Sequence, residues 1–183
     1  MLTIRRITTA NLADVTPIAD HVLVGEEALV QIGRAGISLA WSPVGRAAWQ
    51  PLPRRADADT ELLCDMEDAA VFGAFMDGEY VGGACMYAAY DGWAELCDLR
   101  VDASHRREGV ATALVETCDR LARNRGLYGL RCVTSDKNPT ACRFLLARGF
   151  SLQGMDRMAL TASPEERTKP LMRRACALIF YRR

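Results

Sequence analysis

The run Leu99-Arg-Val-Asp-Ala-Ser-His-Arg-Arg-Glu-Gly-Val-Ala-Thr-Ala-Leu114 constrains folding more than any other stretch, because it reads as a strand, a tight basic loop and a helix start. Arg106, Gly109 and Ala111 give it the pattern Arg-x-x-Gly-x-Ala. The first N–H groups of a helix have no partner inside it, and the helix dipole adds partial positive charge, so such a junction can hold a phosphate. Gly109 allows the backbone close to a ligand. Val110, Ala111, Leu114, Val115, Cys118, Leu121 and Ala122 then recur at helical spacing, and Arg123, Arg125 and Gly126 supply a helix end.

A second block comes one strand and one turn later: Asn138-Pro-Thr-Ala-Cys-Arg-Phe-Leu-Leu-Ala-Arg-Gly-Phe150. In this order and at this separation the two blocks resemble the GNAT acyl-CoA N-acyltransferase superfamily. The first matches its pyrophosphate-binding motif and the second its Asn-x-x-Ala helix closed by Gly-Phe. The resemblance covers the chain from about Ala70 to its C-terminus. It implies an α/β (α+β) GNAT fold: a central mixed, mostly antiparallel twisted sheet flanked by helices, with a splayed strand pair holding acyl-CoA. It also implies acetyl-CoA as co-substrate, held by Leu99, Arg100, Val101, Arg106, Arg107, Glu108, Gly109, Val110, Ala111, Thr112 and Asn138. Leu99 and Val101 would act there through their main chain. Asn138 before Pro139 reads equally well as the N-cap of the following helix.

A chain of 183 residues, half of them hydrophobic, is expected to be one domain with a full core. The reading divides it into a variable, substrate-side part over about 1–68 and a core with the cofactor motifs over about 70–183. No stretch reaches the apolar length of a membrane span and the first residues lack the order of a secretory signal, so the expectation is a cytoplasmic protein with no membrane partner. Seven cysteines without a Cys-x-x-Cys pair fit reduced, buried thiols, and two histidines argue against a histidine-based metal site. Residues 1–99 hold 6 basic and 15 acidic side chains, while residues 100–183 hold 17 basic and 8 acidic. A basic half suits a polyphosphate cofactor and an acidic half a cationic substrate. No basic stripe interleaved with aromatics points to nucleic acid. A homodimer is compatible with this reading.

Leu2 to Ile7 alternates as a strand, and Thr9 or Asn11 is placed to cap a helix through about Val24. Short strands are expected over Gly36 to Trp41 and Arg46 to Trp49, then a hairpin over Ala70–Tyr87 with a primed turn at Asp77-Gly78. Trp93 to Val101 is the next strand. Helix 109–125, a strand from Gly129 to Thr134, helix 138–147 and a closing pair near Phe150–Leu160 and Ala175–Arg182 complete the order.

Acyl transfer to an amine needs a group to take the amine's proton, and a carboxylate near the acyl carbon is the simplest base. By resemblance to the histone-type acetyltransferases, Glu95 occupies the catalytic glutamate position, and Asp98 competes with it. Simple alternation places Glu95, Cys97, Leu99 and Val101 on one face and Leu96, Asp98 and Arg100 on the other, unless a bulge intervenes. Leu145 stands where many family members carry the tyrosine that protonates the departing thiolate. Within the superfamily the chain is most similar to the streptothricin (nourseothricin) acetyltransferases, through Tyr90-Asp-Gly-Trp, Leu99-Arg-Val-Asp-x-x-His-Arg, Asn138-x-x-Ala-Cys-Arg-Phe and Gly149-Phe-Ser-Leu-Gln-Gly-Met-Asp156. That resemblance implies a small cationic amine as acceptor. Tyr90 and Trp93 could flank it and Asp156 could anchor its ammonium, while Asp156 equally fits a turn. Asp57, Asp59, Glu61, Asp65, Glu67 and Asp68 could steer cations from a distance. A protein amine or polyamine acceptor, and a noncatalytic acetyl-CoA-binding module, remain as alternatives.

Overall fold

The elements of the computed structural model run, in chain order, β1 (Leu2–Ile7), β2 (His21–Gly33), β3 (Gly36–Pro51), α1 (Thr60–Asp65), β4 (Ala69–Met76), β5 (Glu79–Ala88) and β6 (Ala94–Val101). They continue with α2 (Val110–Asn124), β7 (Leu130–Ser135), α3 (Pro139–Ala147), β8 (Ser151–Asp156) and β9 (Ala177–Arg182). The structure describes residues 1–18, 21–34, 36–51, 60–160 and 175–183. They fall into two compact units: Met1–Ala19, Arg54–Arg131 and Arg183 in the first, Asp20–Pro53 and Cys132–Arg182 in the second.

In the first unit β1, β4, β5 and β6 lie side by side in that order, each antiparallel to its neighbour. Asp77 and Gly78 both take positive φ, 51° and 92°, which is the primed turn that a tight hairpin requires. One face of these strands buries Ile7, Ala69, Val71, Phe75 and Cys85 together with Leu63 of α1. The other packs against α2, whose Val110, Leu114, Val115, Cys118 and Ala122 are buried. Gly82 permits that packing, since a Cβ there would stand 2.8 Å from the Arg100 carbonyl and 3.1 Å from the Val110 side chain.

The pairing of β5 with β6 carries a bulge. Met86 faces Leu96 and Cys85 faces Asp98, so Cys97 is the extra residue. One inserted residue shifts the alternation by one. Glu95, opposite Tyr87, and Asp98, opposite Cys85, therefore share a face, while Leu99 and Val101, opposite Ala84 and Gly82, turn to the side of α2. The face assignments from simple alternation are corrected accordingly.

The helix expected from Thr9 or Asn11 to Val24 does not form. A 3-10 turn spans Thr9–Asp14, broken inside at Asn11 (φ −127°), and Val15 is extended. Pro17 removes a donor and disfavours the helical conformation just before it. From His21 onward the β-branched Val22 and Val24, with Ala28, bury one side of a long strand instead.

In the second unit β2 and β3 form a long antiparallel hairpin, with β3 continuous where two short strands were expected. Strands β7, β9 and β8 lie in that order, with β8 antiparallel to β9, and α3 packs on β2 and β8. Asp136 is buried and joins these parts: its side chain accepts from the Cys176 N–H at 2.8 Å and its carbonyl from the Ala28 N–H at 2.8 Å. All seven cysteines are free thiols, six of them buried, and burial pushes Cys85 and Cys142 up to about 12. Among the described residues no helix is long and apolar enough to cross a membrane, and no cluster of His, Cys, Asp or Glu could hold a metal ion.

Candidate active site

The loop between β6 and α2 has the form that its sequence predicts. Asp102 closes the end of β6: its side chain accepts from the Ser104 N–H at 2.9 Å and its own N–H donates to the Val81 carbonyl at 2.9 Å. Arg106 reaches back, Nε to the Val101 carbonyl at 3.3 Å, so its guanidinium is tethered to the strand end. Arg107 takes a left-handed φ of 71°, and Gly109, the residue that caps α2, one of 84°. No side chain caps the helix, and a Cβ at Gly109 would meet nothing within 4 Å. Arg106, Arg107, Glu108 and Gly109 are exposed, Ala111 and Thr112 half-buried, and Val110 buried as the anchor of the first turn. Uncapped N–H groups, an open space over a left-handed glycine and two exposed arginines fit a pyrophosphate.

The bulged strand supplies the carboxylates, and they differ sharply in access. Glu95 is 1 % exposed and accepts from Arg131 Nε at 2.5 Å, while the other arm of Arg131 pairs with Asp91. The Asp98 side chain is 20 % exposed and accepts from Arg100 Nε at 2.7 Å. A base that must meet a substrate amine needs such access. On the same face Tyr80 lies between Phe75, at 5.5 Å between ring centroids, and the Asp98–Arg100 pair, which acts on it electrostatically. Burial first, then Cys85 and Asp98, push its phenol up to about 12.

Tyr90 is fully exposed, and Trp93 packs against Tyr128 with centroids 5.9 Å apart. The first unit thus holds Tyr90, Trp93, Glu95, Asp98, Leu99, Arg100, Val101 and the loop to Thr112, whereas Asn138 and Asp156 belong to the second. Asn138 is the N-cap of α3, its Oδ1 accepting from the Ala141 N–H at 3.1 Å. Asp156 is a turn residue, with Oδ1 accepting from the N–H groups of Met158 at 2.7 Å and Ala159 at 3.2 Å. Leu145 is core. Glu61, Asp65, Glu67 and Asp68 are exposed, while Asp57 and Asp59 lie outside the described residues. Sequence reasoning misses Arg131 and Tyr80. An arginine in the apolar β7 run is the only signal for the first, and the Gly82-Gly83 pair beside Tyr80 for the second.

The profile of the acetyltransferase (GNAT) family matches residues 38–150. The streptothricin acetyltransferase of Escherichia coli is 30 % identical over 154 residues, 84 % of each chain. Among solved structures, a Bacillus anthracis (strain Ames) protein assigned as a streptothricin acetyltransferase, in complex with acetyl coenzyme A, superimposes with a TM-score of 0.85 at 18 % identity, covering 100 % of this chain and 99 % of that one. A nourseothricin acetyltransferase gives a TM-score of 0.77 at 20 % identity, covering 98 % and 96 %. By the family match over residues 38–150 and by the 30 % identity to the Escherichia coli protein over 84 % of both chains, the chain belongs to the acetyltransferase (GNAT) family.

Proposed function

We propose that this GNAT acetyltransferase moves an acetyl group from acetyl-coenzyme A to a primary amine of a polycationic small molecule of the streptothricin class, with Asp98 as the base. The donor supplies a thioester, an acyl group activated toward amines. The N–H groups at the start of α2, with Arg106, Arg107 and Gly109, would hold its pyrophosphate, and the main chain of Leu99 and Val101 lies on the strand that leads away from them. Asp98 takes a proton from the acceptor ammonium, directly or through a water, leaving a neutral amine able to attack. Glu95 keeps the Asp91–Arg131–Glu95 ion pair in place beneath the Tyr90–Trp93 loop.

The observation that carries this reading is the bulge at Cys97, which puts a partly exposed carboxylate on the face shared with Glu95 and in the same unit as the open phosphate loop. The streptothricin acetyltransferase at 30 % identity supports the acceptor class. Leu145 does not argue against turnover, because a thiol with a pKa of about 8.5 leaves as a stable thiolate that water can protonate.

Purified protein assayed with streptothricin, a lysine-bearing peptide and spermidine, with release of the CoA thiol as the readout, tests the acceptor. Streptothricin should be turned over best. Acetylation of the peptide alone would replace it with a protein acceptor, and no thiol release with any amine would leave a binding module. Asp98→Asn should lower turnover by about 10²–10⁴-fold and Glu95→Gln far less. The reverse order moves the base to Glu95.

A further inference from the structure

We propose that the hydroxyl of Tyr80 is a second contact for the attacking amine, so that Tyr80 and Asp98 together orient its lone pair toward the thioester. This rests on Asp98 being the base. The local backbone is built around the Tyr80 ring. Gly73 of β4 and Gly83 of β5 are direct cross-strand partners, and neither takes a positive φ. What they lack is a side chain: a Cβ at Gly83 would overlap the Tyr80 hydroxyl, and one at Gly73 would stand 3.2 Å from its ring. The two glycines leave the space that the Tyr80 ring and its hydroxyl occupy, shared at Gly73 with Phe75 and Ile7, and Phe75 packs on Tyr80 in a T-shaped arrangement.

That space leads to the base. Gly83 faces Arg100 across the β5–β6 pair, and Cys85, two residues on, faces Asp98. The hydroxyl therefore lies over the strand position beside the Asp98–Arg100 pair, on the face that the Cys97 bulge gives to Asp98. Among the described residues it has no hydrogen-bond partner, while the groups that act on it are Cys85, Asp98 and Arg100. A half-buried phenol that the protein itself does not use is available to a substrate. A neutral primary amine has two N–H groups and one lone pair. When carboxylate and phenol oxygens each accept one N–H, the lone pair is left for the acyl carbon. The phenol stays protonated throughout the working pH range, so it neither gains nor loses a proton in the step. Asp98 passes the ammonium's proton to solvent and is again a carboxylate when the neutral amine attacks; the C–N bond then forms, the C–S bond breaks, the second amine proton ends on Asp98, and the departing thiolate is protonated by water.

Steady-state kinetics of Tyr80→Phe test this, with streptothricin or whichever acceptor of the panel is turned over best. Removal of one hydrogen bond should lower kcat/KM for the acceptor about tenfold. The KM for acetyl-coenzyme A and the thermal shift that it produces should stay within twofold and within error, which a merely structural defect would not achieve. Gly83→Ala, which displaces the hydroxyl without deleting it, should reproduce the loss. Tyr80→Phe kinetics within twofold of the unmodified protein, where Asp98→Asn has lost a hundredfold or more, would overturn the role of Tyr80 and leave the base standing. A silent Asp98→Asn would remove the base and this contact with it.

Discussion

Arg131 holds two carboxylates, and the difference in their burial decides what its removal does. Asp91 keeps 34 % of its side chain exposed, whereas Glu95 keeps 1 %. Water can solvate the first when the guanidinium is gone but not the second. Breaking a buried pair from one side leaves an uncompensated charge that costs about 3–5 kcal/mol. Arg131→Leu should therefore shift the urea midpoint strongly downward, and the double variant with Glu95→Leu should recover most of the loss, since two apolar side chains of similar size replace a buried ion pair at little cost. A double variant as unstable as Arg131→Leu would mean that the arginine acts through packing or through Asp91. The same contrast underlies the proposed choice of base: Glu95 is sequestered by its partner, and Asp98, three residues on, keeps the access that proton transfer demands.

The proposed donor site is a strand, a loop and the first turn of α2, and Gly109 is where its conformation and its electrostatics meet. A side chain at φ 84° is strained even though the space over Gly109 is open. Gly109→Ala should thus lower the melting temperature of the free protein, by about 1–2 kcal/mol of left-handed strain, while part of the stabilisation by acetyl-coenzyme A survives. Gly109→Glu adds negative charge where the pyrophosphate would lie and should abolish the ligand-induced shift. Equal shifts in all three proteins would place the cofactor elsewhere. Elements such as this one are legible in the sequence because their signals are local: Asp77-Gly78 fixes a hairpin, Gly109 and Asn138 open helices, and α2 shows its apolar face at helical spacing. The stretch after Thr9 misleads because its apolar residues fit a helix period until Pro17, and the residues from His21 onward form a strand whose burial is decided by tertiary packing. The bulge at Cys97 leaves only a faint mark for a related reason. The polar–apolar alternation of β6 breaks once, at Leu96-Cys97, and only the pairing with β5 shows that this break is an inserted residue, so strict alternation puts Asp98 and Glu95 on opposite faces. Arg131 and Tyr80 escape for want of any local signature; each has its role through partners distant in sequence.

Charge along the chain is more segregated than charge in the folded units. The linear halves carry −9 and +9, but the first unit contains 12 basic and 16 acidic side chains and the second 11 and 7, so the units carry −4 and +4. Several of the acidic groups that give the N-terminal half its sign are also paired: Glu95 and Asp91 with Arg131, Asp98 with Arg100, Glu26 with Arg143 and Glu27 with Lys137. The exposed acidic groups of the first unit that could attract a cationic acceptor include Asp65, Glu67 and Asp68, which act across solvent and are screened. Long-range steering should consequently be weak, and recognition of a polycation should rest on short-range contacts near Tyr90, Asp98 and Tyr80. Between physiological and 1 M salt the screening length falls from about 8 to 3 Å, and kcat/KM for a polycationic acceptor should fall only about threefold, mostly through KM. A neutral hydroxylamine-type acceptor of similar size should show no such fall. A drop of a hundredfold for the polycation would mean that the acidic surface captures the acceptor, and charge-reversal of Glu67 and Asp68 would then reduce kcat/KM at low salt as severely as the salt itself.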